Sequence, residues 1–262
     1  MKLSPKLLKF LMRQAKSMEK RAARLQGKGY GYKSLREEVA QAMGFLEEIK
    51  TFFDVGANQG NYTAEVLAKF PEARAWLFEP AQTNYEFLRA RFAKHANVKI
   101  YKVAIRDRNE QCLLHADHPG SPLGSTFKRN LDHFMIPFDH QEAVEANSLD
   151  RYEELLQPHE NLDLLKMDIE GAELCALQGA KQLLGRTRVV QFEFGGCNID
   201  ARNFFQDFWR HFELLGFEIY RTTPLGPFRI LDYQEWDEFF ITTNYLATNP
   251  RLLPSRSGLT GA

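Results

Sequence analysis

A glycine-containing segment near residue 55 combines residue types that bind nucleosides. Asp54 lies within the largely apolar segment Thr51–Val55, and Gly56 and Gly60 lie between this segment and a sequence of helical character. Glycines permit a tight turn and let the backbone approach a ligand closely. The following helix offers unpaired N–H groups to a carboxylate or a phosphate. The spacing therefore predicts a ligand-binding loop between a strand and a helix.

An acidic residue follows this loop at the distance expected of a ribose-binding group. Glu79 stands 23 positions after Gly56, where a carboxylate can accept hydrogen bonds from ribose hydroxyls. The glycine spacing of dinucleotide-binding loops is missing, because Gly56 is followed by Ala57 and Asn58. The Asp54 carboxylate can order the loop and approach an ammonium group. S-adenosylmethionine has an ammonium, a carboxylate and a ribose, so we expect it as the cofactor.

Three further carboxylates lie near predicted strand ends. Methyl transfer from a sulfonium mainly needs alignment of the reactants, and an acceptor that must lose a proton also needs a base or a metal ion. Asp168 is the first candidate base, followed by Glu170 and Glu193. Asp168 and Glu193 are also possible Mg²⁺ ligands through oxygen. Alternatively, Asp168 caps a helix that begins near Gly171, and Glu193 merely faces a polar side of its strand.

The elements that position these residues follow from the hydrophobic pattern after residue 50. Apolar segments predict strands at 51–55, 74–78, 98–104, 162–167, 188–194, 217–221 and 239–245, and helices are predicted at 61–69, 82–94, 171–184 and 204–215. Strands that alternate with helices favour parallel pairing. We therefore predict an α/β fold with a doubly wound, mostly parallel seven-stranded sheet and helices on both faces. Ligands of such sheets bind beyond the carboxyl ends of the strands.

The stretch 105–150 does not fit this alternation. Its glycines, prolines and histidines are typical of a lid, a substrate loop or a surface loop without order. His118 and His140 are alternative bases within it. Ser125 and Thr126 could close over the cofactor or the acceptor.

The three cysteines, Cys112, Cys175 and Cys197, are far apart and have no metal-binding spacing. Isolated cysteines favour reduced thiols, so we expect a cytoplasmic protein. Cys197 and Asn198 follow the fifth predicted strand and could line the pocket. The Phe and Trp residues between positions 204 and 236 are expected in the core and in the pocket wall.

The first 36 residues differ in charge from the rest of the chain. Residues 1–36 contain eleven Lys or Arg against Glu19, a net charge of +10, so the remainder carries −10 of a total of zero. Apolar side chains recur at helical spacing in residues 1–26, and three glycines then interrupt the pattern. Such a helix binds an anionic membrane surface or a nucleic acid, or its apolar stripe docks on the main domain.

These patterns predict three parts. Residues 1–36 form a basic amphipathic helical extension, residues 37–250 form the main domain, and residues 251–262 form a flexible C-terminal tail. No apolar run approaches the length of a membrane span. The basic residues among the first apolar ones are unlike a secretory signal. The length suits one large α/β domain with a modest extension.

Several motifs of the chain resemble the FkbM family of methyltransferases. The sequence FDVGAN-x-G-x-YT from Phe53 is similar to the first motif of the family, and FEP from Phe78, followed by Asn84-Tyr85-x-x-Leu88, is similar to the second. Val103-Ala104 and Leu149-Asp150-x-Tyr152 continue in the expected order. The most specific segment is LKMDIEGAE from Leu165, with Leu177-x-Gly179-Ala180 after it. The resemblance covers about residues 50–245.

This resemblance implies a Rossmann-like, S-adenosylmethionine-dependent O-methyltransferase that acts on hydroxyls of saccharides, glycans or other small molecules. The expected cofactor-binding residues are Asp54, Gly56, Ala57, Asn58, Gly60, Glu79, Ala104 and Asp168. One alternative is a non-catalytic cofactor-binding protein recruited to membranes or glycan-assembly complexes. Another is a nucleic-acid methyltransferase, which the −10 charge of the remaining chain disfavours. The oligomeric state is not determined by these patterns.

Overall fold

The computed structural model describes residues 4–30 and 34–253. Its helices are α1 (Pro5–Leu25), α2 (Leu35–Met43), α3 (Asn61–Lys69), α4 (Gln82–Arg91), α5 (Glu173–Gln178), α6 (Lys181–Gly185), α7 (Cys197–Ala201) and α8 (Phe205–Leu214). Its strands are β1 (Thr51–Val55), β2 (Arg74–Phe78), β3 (Val98–Tyr101), β4 (Ala104–Ile105), β5 (Glu110–Ala116), β6 (His140–Asn147), β7 (Leu162–Met167), β8 (Thr187–Phe194), β9 (Glu218–Arg221), β10 (Phe228–Ile230) and β11 (Thr243–Thr248).

The main sheet has the strand order β10-β9-β11-β8-β7-β1-β2-β3. Strand β1 pairs in parallel with β2 on one side and with β7 on the other, so the strand order reverses at β1. Strand β11 is antiparallel to both β8 and β9. The prediction of a Rossmann-like, doubly wound and mostly parallel sheet is therefore confirmed. The sheet has eight strands rather than seven, because the chain turns back after β9 and adds β10, a strand too short to show a hydrophobic pattern.

Helices cover both faces of this sheet, as predicted. On one face, α5, α6 and α8 pack through residues such as Leu177, Leu183 and Phe208. The rings of Phe192 and Phe208 stack there with their centroids 5.1 Å apart. On the other face, α2, α3 and α4 pack through apolar side chains that include Val39, Val66 and Leu88. Because both faces are covered, β1 and β7 are fully buried along their length.

The stretch 105–150, predicted to be irregular, contains a second sheet. Its three strands have the order β4-β6-β5, and β5 pairs antiparallel with β6 over seven residues. Burial alternates along part of β5 and β6, which is typical of half-buried strands. The sequences EQCLLHA and HQEAVEAN are too polar for that alternation to stand out, and this is why the prediction was wrong. Only the connection between β5 and β6 is largely irregular.

Helix α1 lies outside the core, since none of its residues is buried. The expectation that its apolar stripe docks on the main domain is therefore wrong. Helix α2 does pack in the core through Val39 and Ala42. The division of the chain after residue 36 remains a prediction, and it falls inside α2. Most of the predicted tail 251–262 lies outside the described residues. Within residues 4–30 and 34–253, no helix is long and apolar enough to cross a membrane.

Candidate active site

A cavity of about 250 Å³ opens at the carboxyl ends of β1, β2, β7 and β8. This is the edge of the sheet at which doubly wound folds bind their ligands. Six of the eight predicted cofactor-binding residues line it: Gly56, Ala57, Asn58, Glu79, Ala104 and Asp168. The second sheet supplies part of the wall through residues such as Leu114, Ala116 and His140.

The loop after β1 is held against the ends of both neighbouring strands. The backbone N–H groups of Gly56 and Ala57 donate to the carbonyl oxygen of Phe78, at 3.0 and 3.2 Å. Gly56 has a φ of +74°, and a Cβ at this position would stand 1.9 Å from the backbone oxygen of Asp168. Glycine is therefore required by conformation and by space. The turn brings its backbone to the floor of the cavity.

Glu79 anchors the same loop from the end of β2. Its carboxylate accepts hydrogen bonds from the backbone N–H of Asn58 at 2.8 Å and of Ala81 at 3.0 Å, and from the Asn84 side chain at 3.5 Å. A carboxylate offers about four acceptor positions, so capacity remains toward the cavity. Burial raises the pKa of Glu79, while the two N–H groups act in the opposite direction. The residue thus orders the loop and can still accept from a ligand hydroxyl.

Asp54 and Gly60, also predicted to touch the cofactor, do not line the cavity. The Asp54 carboxylate is fully buried, accepts from the Thr63 hydroxyl at 2.7 Å and pairs with the Lys166 ammonium at 3.1 Å. Its two oxygens are thus engaged below the loop by Thr63 and Lys166, and the expected approach of Asp54 to a ligand ammonium remains a prediction. Gly60 caps α3 with a φ of +74°, and its Cα faces the side chains of Leu88 and Phe92.

Lys166 is a site residue to which the sequence assigned no role. It lines the cavity, and its ammonium donates to the backbone oxygen of Gly56 at 2.9 Å while it pairs with Asp54. Burial alone would lower the pKa of Lys166, but the charges of Asp54 and Asp168 raise it. The available signal was a lysine within the otherwise buried segment 162–167, which requires a charged partner.

Three carboxylates form an acidic cluster beside the loop. One oxygen from each of Asp168, Glu170 and Glu193 lies within 4.8 Å of the others. Asp168 is 45% exposed and lines the cavity together with Glu193. Helix α5 is capped by Ala172, so the alternative that Asp168 caps this helix is wrong.

The members of the acidic cluster differ in their surroundings. Glu170 does not line the cavity, and its carboxylate pairs with Arg129. Burial, assisted by the charge of Asp168, raises the pKa of Glu170 to about 7. Burial raises the pKa of Glu193 well above its ordinary value, and the charges of Asp168 and Glu170 add to this effect. Neighbouring negative charges therefore repel one another in this cluster, and a bound cation would favour its ionised form.

A second missed group, Glu38, enters the cavity from α2. Its carboxylate accepts from the Gln191 amide at 3.2 Å, and Gln191 in turn accepts from the Tyr62 hydroxyl at 2.8 Å. Burial raises the pKa of Glu38 to about 8, and the charge of Asp168 adds to this effect. No sequence pattern placed residue 38 near the loop at 54–60, because only the fold brings α2 to this edge.

The substitution Glu38→Gln is expected to change how stability depends on pH. A glutamate of the unfolded chain loses its proton near pH 4, whereas Glu38 keeps it to about pH 8. The contribution of this carboxyl is present at low pH and is lost as the pH rises through 8. Urea unfolding at pH 6 and pH 8 should show wild type losing about 2 kcal/mol more than Glu38→Gln. The exposed Glu47→Gln is the control, and parallel profiles for wild type and Glu38→Gln would contradict the assignment.

The remaining sequence candidates divide between the cavity and the surface around it. His140 and Thr126 line the cavity, whereas His118 does not and pairs with Asp117 at 2.8 Å. Ser125 donates to the backbone oxygen of Glu170 at 2.8 Å, so it supports the loop that carries the acidic cluster. Neither Cys197 nor Asn198 lines the cavity, as both are buried below it. All three cysteines are free thiols.

The sheet order and the position of the cavity define a Rossmann-like domain. A model of the methyltransferase FkbM domain matches residues 54–219, more than half of the chain, so the chain belongs to the FkbM methyltransferase family. The 2-O-methyltransferase NoeI of Sinorhizobium fredii is 28% identical over 152 residues, which are 54% of this chain and 61% of NoeI. The match thus spans less than two thirds of that relative.

Two solved structures are similar to this chain at low sequence identity. Precorrin-6y C5,15-methyltransferase from Geobacter metallireducens has a TM-score of 0.41 at 12% identity, with 80% of this chain and 86% of that chain covered. The O-methyltransferase TomG from Streptomyces achromogenes has a TM-score of 0.42 at 12% identity, with 82% and 80% covered.

Proposed function

We propose that this chain transfers the methyl group of S-adenosylmethionine to a hydroxyl of a saccharide, a glycan or another small molecule. The observation that carries the proposal is the acidic lining of the cavity. Five carboxyl groups line it, from Glu38, Glu79, Glu142, Asp168 and Glu193, and Lys166 is the one Lys or Arg among its described lining residues. A ligand with a sulfonium and an ammonium matches such a lining. A polyanionic nucleic acid does not.

Glu79 and the backbone of the loop at 56–58 suit the nucleoside half of the cofactor. The Glu79 carboxylate retains acceptor capacity toward the cavity, and ribose hydroxyls are the donors that an acid at this position commonly binds. Ala104, at the start of β4, lines the same cavity. The acidic cluster at the ends of β7 and β8 would then lie beside the sulfonium half.

Asp168 is the proposed general base. It stands in the cavity at the end of β7, and its exposed carboxylate can accept a proton from an acceptor hydroxyl. Glu193 lines the same wall and, because its pKa is raised, provides a second position at which a proton can be held. Glu170 would act indirectly, since Arg129 holds its carboxylate away from the cavity. The printed activity of NoeI, 2-O-methyl transfer, supports an oxygen acceptor.

The acidic cluster is also chemically suited to Mg²⁺. Its three donors are carboxylate oxygens, which hard divalent cations prefer. Asp168 and Glu193 would hold the ion, with Glu170 at its edge. Such an ion lowers the pKa of a bound hydroxyl. Activity that is lost with a chelator and restored by Mg²⁺ would show that turnover requires the ion, and activity that a chelator leaves unchanged would exclude this requirement.

The test is conversion of S-adenosylmethionine to S-adenosylhomocysteine by the full chain with a panel of saccharides, each paired with its fully O-methylated derivative. Turnover should require the free hydroxyls. Asp168→Asn should lower turnover by about 10²- to 10⁴-fold at saturating cofactor, which separates loss of the base from any change in cofactor affinity. His118→Gln, outside the cavity, should retain activity. Tight cofactor binding without turnover on any acceptor would favour the non-catalytic alternative, and failure to bind the cofactor would refute the proposal.

A further inference from the structure

Helix α1 displays two continuous stripes. Leu7, Leu11, Ala15, Met18, Ala22 and Leu25 recur at steps of three or four residues and form an apolar stripe, while Lys6, Lys9, Arg13, Lys16, Lys20 and Arg24 form a basic stripe with the same steps. Residues at these steps share one face of a helix. No residue of α1 is buried, and Phe10 and Met18 are 56% and 64% exposed. An apolar face of about five helical turns is thus left uncovered.

The end of this helix is fixed to the main domain next to the cavity. The Gln26 backbone oxygen accepts from the Arg221 guanidinium at 2.7 Å. The backbone N–H of Gly29 donates to the Thr243 hydroxyl at 2.8 Å. The backbone N–H of Asn244 donates to the carbonyl of Tyr30 at 3.2 Å, and Asn244 itself lines the cavity. The helix is therefore tied to the catalytic edge of the sheet.

A second apolar surface lies at the same attachment. The segment 225–241 exposes the large apolar side chains of Leu225, Phe228, Leu231, Trp236 and Ile241. Phe228 and Trp236 contradict the expectation that the aromatic residues up to position 236 lie in the core or in the pocket wall, although Phe205, Phe208 and Phe212 are buried. Trp236 is 83% exposed, and its backbone oxygen accepts from the Lys28 ammonium at 3.1 Å. A tryptophan in such a position is typical of a membrane interface.

We propose that α1 and the segment 225–241 bind the surface of an anionic lipid bilayer. Seven Lys or Arg of α1 against Glu19 complement negative headgroups, and the apolar stripe alongside them suits burial at the boundary with the acyl chains. A nucleic acid would account for the basic stripe and leave the apolar one exposed to water. The rest of the chain, from residue 37, carries −10, so attraction to the bilayer depends on α1.

The experiment is cosedimentation of the full chain with vesicles of phosphatidylcholine alone and of phosphatidylcholine mixed with phosphatidylserine. We expect binding to the mixed vesicles and a decrease with added salt. The double variant Lys9→Gln/Lys16→Gln should bind about 25-fold more weakly, at roughly fivefold for each charge removed. The matched control is Lys94→Gln/Lys99→Gln, which removes two exposed charges from the main domain and should bind within twofold of wild type.

The double variant Leu11→Gln/Met18→Gln separates a bilayer from other occupants. It keeps every charge and should still lose binding to the mixed vesicles at least tenfold. Because no residue of α1 is buried, circular dichroism and thermal unfolding of all variants should match wild type. Equal vesicle binding by this variant and wild type would overturn the proposal, as would salt-sensitive RNA binding without vesicle binding. The proposal would also be overturned if the wild-type protein did not bind vesicles and formed a dimer that Leu11→Gln/Met18→Gln dissociates.

Discussion

Replacing Lys166 with methionine is expected to lower the free energy of unfolding by about 3–5 kcal/mol, because it leaves the buried Asp54 carboxylate without its counter-ion. Asp54 has no exposed surface, and the Lys166 ammonium stands 3.1 Å from it. Methionine keeps much of the lysine's apolar volume, so the loss would report on charge rather than on packing. The same ammonium supports the Gly56 carbonyl at 2.9 Å, so the affinity for S-adenosylhomocysteine should also fall.

The double variant Asp54→Asn/Lys166→Met tests this cause. It removes both charges, so it should recover part of the stability lost in Lys166→Met, and a double-mutant cycle gives the coupling energy. Arg108→Met is the control on the surface, since Arg108 is exposed, and its ion pairs with the partly buried Asp107 and Glu110 should contribute little to stability. Urea unfolding measures all four proteins. Equal losses for Lys166→Met and Arg108→Met would contradict a buried pair.

Gly56→Ala is expected to disrupt the loop after β1 and to abolish cofactor binding. Its φ of +74° is strained for alanine, and the new Cβ would stand 1.9 Å from the Asp168 backbone oxygen. Backbone cannot rotate away as a side chain can, so β1 and β7 would have to separate at the cavity. We expect a loss of stability above about 3 kcal/mol, beyond the range of most single substitutions.

Gly216→Ala is a matched control for this substitution. Gly216 has a φ of +75°, and nothing lies within 4 Å of its added Cβ. The strain of the left-handed conformation alone, about 1–2 kcal/mol, should be its whole effect. Unfolding by urea and calorimetric titration with S-adenosylhomocysteine compare the two variants. Similar stability losses in the two variants would show that the close approach of residue 56 to Asp168 is not the cause of the loss in Gly56→Ala.

The parts of the site that could be predicted from sequence are those within one strand–loop–helix unit. Gly56 and Glu79 were identified because their chemistry and spacing are local. The pairing of Asp54 with Lys166 was not predicted, because Lys166 is more than a hundred residues away and adjacent to Asp54 only in the sheet register. Glu38 had no local signal at all.

In the fold as well, features that depend on local sequence were predicted and features that depend on long-range pairing were missed. The order of the parallel strands followed from alternation with helices, whereas the second sheet was missed because its stability rests on pairing between β5 and β6 across more than twenty intervening residues. Polar half-buried strands acquire their apolar partners only in the folded chain. The wall that they form around the cavity was therefore beyond a pattern-based prediction.

The acid-lined cavity has a consequence for the end of the catalytic cycle. Transfer of the methyl group turns a positive sulfonium into a neutral thioether, so the spent cofactor carries one positive charge less than the fresh one. Five carboxyl groups line the cavity that we propose for both. Coulomb attraction would therefore weaken at the moment of transfer, and the carboxylates would favour exchange of spent cofactor for fresh. In that case the acidic lining of the cavity would favour release of the product cofactor as well as binding of the methyl donor.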